Sequence, residues 1–205
     1  MSYSQIASSE SIKTTIAKLA QHNVEGILVS TKSEALAKIK ELIPAGSSVM
    51  NGSSATLEEI GYIEYLKENG HGWNNLHEAI FKESDPVKQG VLRKQALLSD
   101  YYLGSVHALS STGEFVIASN TGSQLPHIVY SSTNLIFVVG AQKIVNNLTE
   151  AMNRLEEYVV PLENENSKKK WGSPTALNKI VIFKGENPYM GRKVRIIIVN
   201  ESLGF

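Results

Sequence analysis

Hydroxyl and amide side chains gather at a few places in this chain, and the densest is Asn51–Gly61, NGSSATLEEIG. It follows the short apolar run Ser48-Val49-Met50 and opens a helical pattern. Gly52, Ser53, Ser54 and Thr56 place hydroxyls beside the free N–H groups of a helix start, an arrangement suited to an anion or a carboxylate. The same residues are good helix caps, and Thr56 with Glu59 fits a capping box. Two further clusters are Ser110–Gly113 with Glu114, and Ser119–Ser123. Thr112, Gly113, Asn120 and Gly122 there are either turn formers or donors to an anionic or hydroxyl-bearing ligand. Glu114 is a candidate general base if a closed pocket raises its pKa. Asp100, after Leu97-Leu98, is a turn residue or a second acid/base candidate. Arg93 and Lys143 carry the charge to pair a carboxylate or phosphate, with exposed ion pairs as the alternative for both.

Other chemistries lack their residues. The five histidines, His22, His71, His77, His107 and His127, form no close metal-ligand pair. His107, set among strand residues, is either a satisfied core histidine or a cleft residue. There is no cysteine, which removes disulfides, thiolate nucleophiles and thiolate-ligated zinc or iron–sulfur clusters. Gly-x-Ser-x-Gly, the Walker loop and G-x-G-x-x-G are absent, so the common hydrolase elbow and nucleotide cradles are missing. The sequence predicts no cofactor and no metal.

These residues must be held by a framework, and its elements are legible. The 205 residues suffice for one substantial core, and 20 basic residues balance 20 acidic ones, so nothing global favours nucleic acid or an anionic membrane. The apolar runs are too short for a bilayer span, which predicts no membrane insertion, and the start MSYSQIASSESIK lacks a signal-peptide core. A cytoplasmic location is expected. Helical spacing is found for Ile12, Ile16, Leu19 and Ala20, and for Leu36, Ile39 and Ile43 after a Thr31–Glu34 capping box. It is also found for Val87, Val91 and Leu98 after Asp85-Pro86, and most fully over Gln142–Val159, which Pro161 ends. Strand-length runs are Gly26–Val29, Ser48–Met50, Tyr101–Ala108, Phe115–Ala118, Leu135–Val139, Ile180–Phe183 and Val194–Val199. Several are apolar on both faces, which predicts an α/β fold with a mostly parallel central sheet and helices on both faces. Tyr101–Ala118 reads as a hairpin, and Glu163–Lys170, ENENSKKK, as a solvated linker.

Taken together, GSSATLEEIG at 52–61, Arg93 with Asp100-Tyr101, SVHALSSTGEFV at 105–116, VVGAQKIVNNLTEAMNRL at 138–155 and GRKVRIIIVNESLGF at 191–205 resemble the LUD (lactate-utilization) domain family in its short, stand-alone form. The resemblance implies a fold like that of ribose-5-phosphate isomerase, glucosamine-6-phosphate deaminase and the CoA transferases, whose Gly- and Ser/Thr-rich loops at strand ends hold phosphate or acyl groups. It implies a role in bacterial oxidation of L-lactate, as a subunit or accessory with redox centres on iron–sulfur partner chains. The chain departs from relatives in two places. Lys170–Thr175 has no cysteine where many short relatives are cysteine-rich, and Ser123-Gln124 stands where a basic residue is usual.

The expectation is thus one LUD-like domain over 1–205, with an N-terminal helical part at 1–45, a core at 46–160 and a C-terminal extension at 161–205. Its ligand is a small carboxylate or phosphate, and a homo-oligomer is compatible with the sequence. The alternative is a stand-alone enzyme or binding protein for a phosphorylated or carboxylated metabolite. Ligands of open α/β sheets bind outside the carboxyl ends of the strands. Gly52, Ser53, Ser54 and Thr56 are therefore expected in one cleft with Thr112, Gly113 and Glu114.

Overall fold

The structure of the protein, a computed structural model, describes residues 3–68 and 70–205. The first half runs α1 (Ser9–Gln21), β1 (Glu25–Val29), α2 (Lys32–Leu42), β2 (Ser48–Asn51), α3 (Ala55–Glu59), α4 (Tyr62–Lys67), β3 (Asn74–Asn75), α5 (Leu76–Lys82) and α6 (Pro86–Gln95). The second half runs β4 (Tyr101–Gly104), β5 (Ala108–Ser110), β6 (Phe115–Ser119), β7 (Asn134–Gly140), β8 (Ile144–Val145), α7 (Leu148–Arg154), α8 (Val160–Trp171), β9 (Lys179–Phe183) and β10 (Lys193–Val199).

Among the described residues, six strands form an all-parallel sheet in the order β1-β10-β7-β4-β2-β3. Its centre is β10 beside β7, with Ile196 level with Phe137 and Ile198 with Val139. Side chains alternate across a strand, and the core divides accordingly. Phe137, Val139, Ile196 and Ile198 face α1 through Ile12 and Leu19, and face a second sheet through Leu109, Phe115 and Phe183. Ile136, Val138, Ile197 and Val199 face α2, α3 and α4 through Ile39, Leu57 and Tyr62. The second sheet, ordered β8-β5-β6-β9, carries α7 and the turn after it on its far side, with Ala108 and Val116 against Ala151 and Leu155. The expected α/β architecture, with a parallel central sheet flanked by helices, is therefore present.

Helix starts follow the cap chemistry. Thr31 accepts from the Glu34 amide while Glu34 accepts from the Ser30 amide, and Asp85 accepts from Val87 and Lys88.

Several expectations are corrected. The run Tyr101–Ala108 divides: β4 pairs in the main sheet, and the chain then leaves it at Ser105–His107, so the hairpin is β5–β6 alone. Helical spacing over Gln142–Val159 conceals a 3-10 turn at Ala141–Lys143 and the strand β8. Asn147 caps the helix by accepting from the Glu150 amide, which fixes its start at Leu148.

Pro161 does not end this helix. The chain passes through a π-helical turn at Leu155–Val159 and continues as α8, because a bulge just before a proline relieves the backbone that its ring and missing N–H disrupt. ENENSKKK is accordingly helix, not linker. Its acids lie in the early turns and Lys168–Lys170 in the last, as the helix dipole favours, and Gly172 (φ 72°) closes the end. The expected helical face of Val87, Val91 and Leu98 is exposed rather than core.

Candidate functional site

The carboxyl ends of β2, β4 and β7 open into one cavity of about 280 Å³. Gly52–Thr56 follow β2, Gly104–His107 lead out of β4, and Lys143 follows β7. Ser119, Asn120, Thr121, Ser123 and Gln124, at the exit of β6, supply another polar wall. The remaining lining is mostly apolar: Leu155, Val159 and Val160 from the helical layer, with Leu177 and Phe205.

Each polar wall has a local cause. Ser54 caps α3, its Oγ accepting from the Leu57 amide at 3.3 Å. Thr56 lies two residues further on, inside the helix and buried, so the expected Thr56–Glu59 capping box is not formed; Ser54 takes that place. Glu59 instead accepts from the Gly204 amide at 2.9 Å. Gly52 passes close over Tyr102, where a Cβ would lie 2.5 Å from the phenol oxygen and 2.8 Å from Gln124 Oε1. That phenol donates to Gln124 Oε1 at 3.1 Å and Gln124 Nε2 donates to the Ala118 carbonyl at 3.0 Å, tying the cavity floor to both sheets.

Lys143 is the cation of this cavity. It is 3% exposed, and its Nζ donates to Thr56 Oγ1 at 3.0 Å, Ser105 Oγ at 3.1 Å and the Val106 carbonyl at 3.3 Å. None of the described ion pairs includes it. Burial, with the nearby Arg154 charge adding to it and Glu59 opposing, pushes its pKa down to about 7. The segment Leu203–Phe205 folds across it: Gln142 Nε2 donates to the Leu203 carbonyl at 2.8 Å, and Gly204 (φ 62°) has no room for a Cβ against Thr56 Oγ1.

His107 lines the same space. The Ala118 amide donates to its Nδ1 at 3.1 Å, so the proton of the neutral ring sits on Nε2. Burial, with Lys143 and Arg154 adding to it, pushes its pKa down to about 3. Arg154 is wholly buried and is solvated by backbone oxygens: it donates to that of His107, and to those of Phe205 and Tyr3 at 3.4 Å each. Glu163 lines the cavity from α8, its carboxylate accepting from Asn166.

The structure brings Gly52, Ser53, Ser54, Thr56 and Asn120 to the cavity, with Gly122 in the adjoining turn against the Lys179 side chain. It does not bring Thr112, Gly113 or Glu114 there. They form the turn at the opposite end of the β5–β6 hairpin, where Gly113 abuts His22. Glu114 accepts from the Thr112 hydroxyl, which holds its carboxyl below the usual range, the reverse of what a general base needs. Asp100 lies at the starting edge of β4, accepting from the Ser48 amide at 2.8 Å and hydroxyl at 2.7 Å; these bonds also hold it low and give it a clasp role between β2 and β4. Arg93 sits on exposed α6, donating to Gln89. For Lys143 the alternative of an exposed ion pair does not hold: it is buried and in none of the described ion pairs.

Sequence reasoning missed Ser105, Gln124 and Arg154. For Arg154 the available signal was a lone charge on the helical face between Ala151 and Leu155; Ser105 and Gln124 carry none.

No curated protein matches the chain. A solved structure, that of a DUF162 family protein from Deinococcus radiodurans, aligns at a TM-score of 0.57 over 96% of this chain and 100% of that one, with 15% identity, a likeness of fold. The family model for the LUD domain matches residues 12–199. With the match spanning nearly the whole chain, this protein belongs to the LUD domain family.

Proposed function

We propose that residues 1–205 act as one LUD domain that binds a small carboxylate-bearing metabolite, in the utilization of L-lactate or a related 2-hydroxy acid. The observation that carries this reading is Lys143: a buried amine in a cavity at the carboxyl ends of parallel strands, held by hydroxyls and a carbonyl and by no described carboxylate. A buried cation without an anion is costly, and an anionic ligand supplies the missing partner. The cavity, at about 280 Å³, lies at the small end of ligand pockets, which favours a metabolite of few atoms.

Redox centres, on this reading, belong to partner chains, since a chain without cysteine offers no thiolate for an iron–sulfur cluster. A stand-alone enzyme for a phosphorylated metabolite is less well supported, because among the described lining residues Lys143 is the only lysine or arginine and Glu163 adds a negative charge.

A thermal-shift series on the purified chain with L-lactate, pyruvate, a sugar phosphate and inorganic phosphate tests this. A ligand that binds the folded state raises its melting temperature. Lactate or pyruvate is expected to do so, and Lys143→Met to abolish the rise. A response confined to the phosphorylated ligands would replace this reading with the phosphate one.

A further inference from the structure

We propose that Lys143 is a nucleophile, forming an imine with the carbonyl carbon of a small 2-oxo acid or aldehyde bound in the cavity. This rests on the reading of the cavity as a metabolite site and adds the reacting class of substrate. Covalent use of a lysine needs an amine that can shed its proton, a dry surrounding and groups that handle the departing oxygen. The structure supplies all three around one nitrogen.

The amine is not tied down. A lysine paired with a carboxylate is held as ammonium, whose nitrogen has no free electron pair. Lys143 Nζ meets two hydroxyls and one carbonyl, and no described ion pair includes it. The charged groups that bear on it are Arg154 from α7, which opposes a second positive charge nearby, and Glu59 from α3, which acts the other way and more weakly. Burial and Arg154 together leave a substantial neutral fraction near pH 7.

The surroundings suit dehydration. Leu155, Val159, Val160, Leu177 and Phe205 line the cavity opposite its polar loops. The hydroxyls of Thr56 and Ser105 lie at 3.0 Å and 3.1 Å from Nζ, near where the oxygen of a carbinolamine must sit.

The Nζ lone pair attacks the carbonyl carbon, and the C=O π pair moves to oxygen, which takes up a proton as nitrogen releases one. The carbinolamine then breaks its C–O bond. The hydroxyl leaves as water, and the nitrogen lone pair closes the C=N bond with loss of its remaining proton. One water is released and nothing is oxidised or reduced.

The test is reductive trapping. The full chain is incubated with pyruvate and sodium cyanoborohydride, then mapped by peptide mass spectrometry. One adduct per chain is expected, at Lys143, forming at least about tenfold faster than at any other lysine, because exposed amines are nearly all ammonium at neutral pH. On the unmodified sequence, excess L-lactate, which has no carbonyl to react, should suppress this adduct and leave surface labelling unchanged. Lys143→Arg, checked for an unchanged melting temperature, should lose it. Pyruvate that raises the melting temperature without labelling Lys143 overturns the imine and leaves the binding reading standing. Labelling spread evenly over surface lysines overturns the imine, and absence of both binding and labelling overturns the two together.

Discussion

Arg154 shows what a single buried side chain contributes to this site. Its guanidinium donates to backbone oxygens of His107, Phe205 and Tyr3, and the Tyr158 ring lies 5.2 Å away. It thereby pins a helix of the outer layer to the loop that presents His107. Lysine cannot reproduce a planar fork serving three backbone oxygens. Arg154→Lys is therefore expected to cost at least about 2 kcal/mol, read as a shift in urea midpoint, since backbone oxygens are left buried without donors. Thr56→Val should act differently. It removes the hydroxyl between Lys143 and the Leu203 carbonyl, so ligand-induced stabilisation should fall while the melting temperature of the free protein changes little. A large loss of free-protein stability with ligand response intact would assign Thr56 to packing alone. Both residues illustrate how legible the site is. Thr56 and Ser54 stand out by type beside a glycine turn, whereas Lys143 looks like any lysine after a strand. What buries Lys143 is the segment Leu203–Phe205 from the far end of the chain, and spacing within VVGAQKIV carries no information about that.

At the scale of elements, the same helical periodicity stands for two different burials. Ala151, Leu155 and Val159 are the buried stripe of the outer helical layer, against Ala108 and Val116 of the second sheet. Leu148 and Met152 only flank it. Leu155→Ala should therefore cost about 2–5 kcal/mol, and Leu148→Ala distinctly less, when both are measured by denaturant titration. Equal costs would mean that Leu148 belongs to the stripe as fully as Leu155, as the helical spacing over Gln142–Val159 suggests. That spacing misleads because Ile144 and Val145 fit a helical face and a strand equally well, and only Asn147 with Glu150 marks the true start. The proline after the π turn misleads in the opposite sense. Strands sandwiched between layers were easier to read: the runs at 135–139 and 196–199 are apolar throughout because both faces are covered, and they form the centre of the sheet. Their neighbours could not be read, since sheet order depends on crossovers. Thus β10, from the expected C-terminal extension, lies between β1 and β7, and β1, from the expected helical part, is an edge strand of the same sheet.

For the whole molecule, three groups whose charged forms burial disfavours determine how stability should follow pH. Burial pushes His107 down to about 3 and His127, which hydrogen-bonds Ser99 and Ser132, down to about 4. An unfolded histidine titrates near 6.5. Between those values the unfolded chain binds more protons than the folded one, so stability rises with pH and is lost as pH falls from about 6.5 towards 3. Asp100 and Glu114, held low by their hydrogen bonds, act in the same direction at the acid end: their stabilisation is present above the unfolded carboxylate pKa and disappears as pH falls below it. Lys143 adds a separate rise. Its folded value of about 7 lies below the unfolded value near 10.4, so the unfolded chain again holds the extra proton across that window and stability climbs from neutral pH into the alkaline range. The balanced composition of 20 basic and 20 acidic residues gives no hint of this, because only burial separates these groups from their exposed counterparts. Urea midpoints taken from pH 3 to pH 10 should therefore rise in two stages, an acid one and a neutral-to-alkaline one. Lys143→Met should remove the second stage alone and raise stability at pH 7 and below, where the folded chain otherwise has to hold a buried ammonium. His107→Gln, which keeps an acceptor available for the Ala118 amide, should reduce the first stage alone. A profile that stays flat above pH 7 in the unmodified chain would mean that Lys143 remains fully protonated when folded, and the neutral nucleophile would then have no basis.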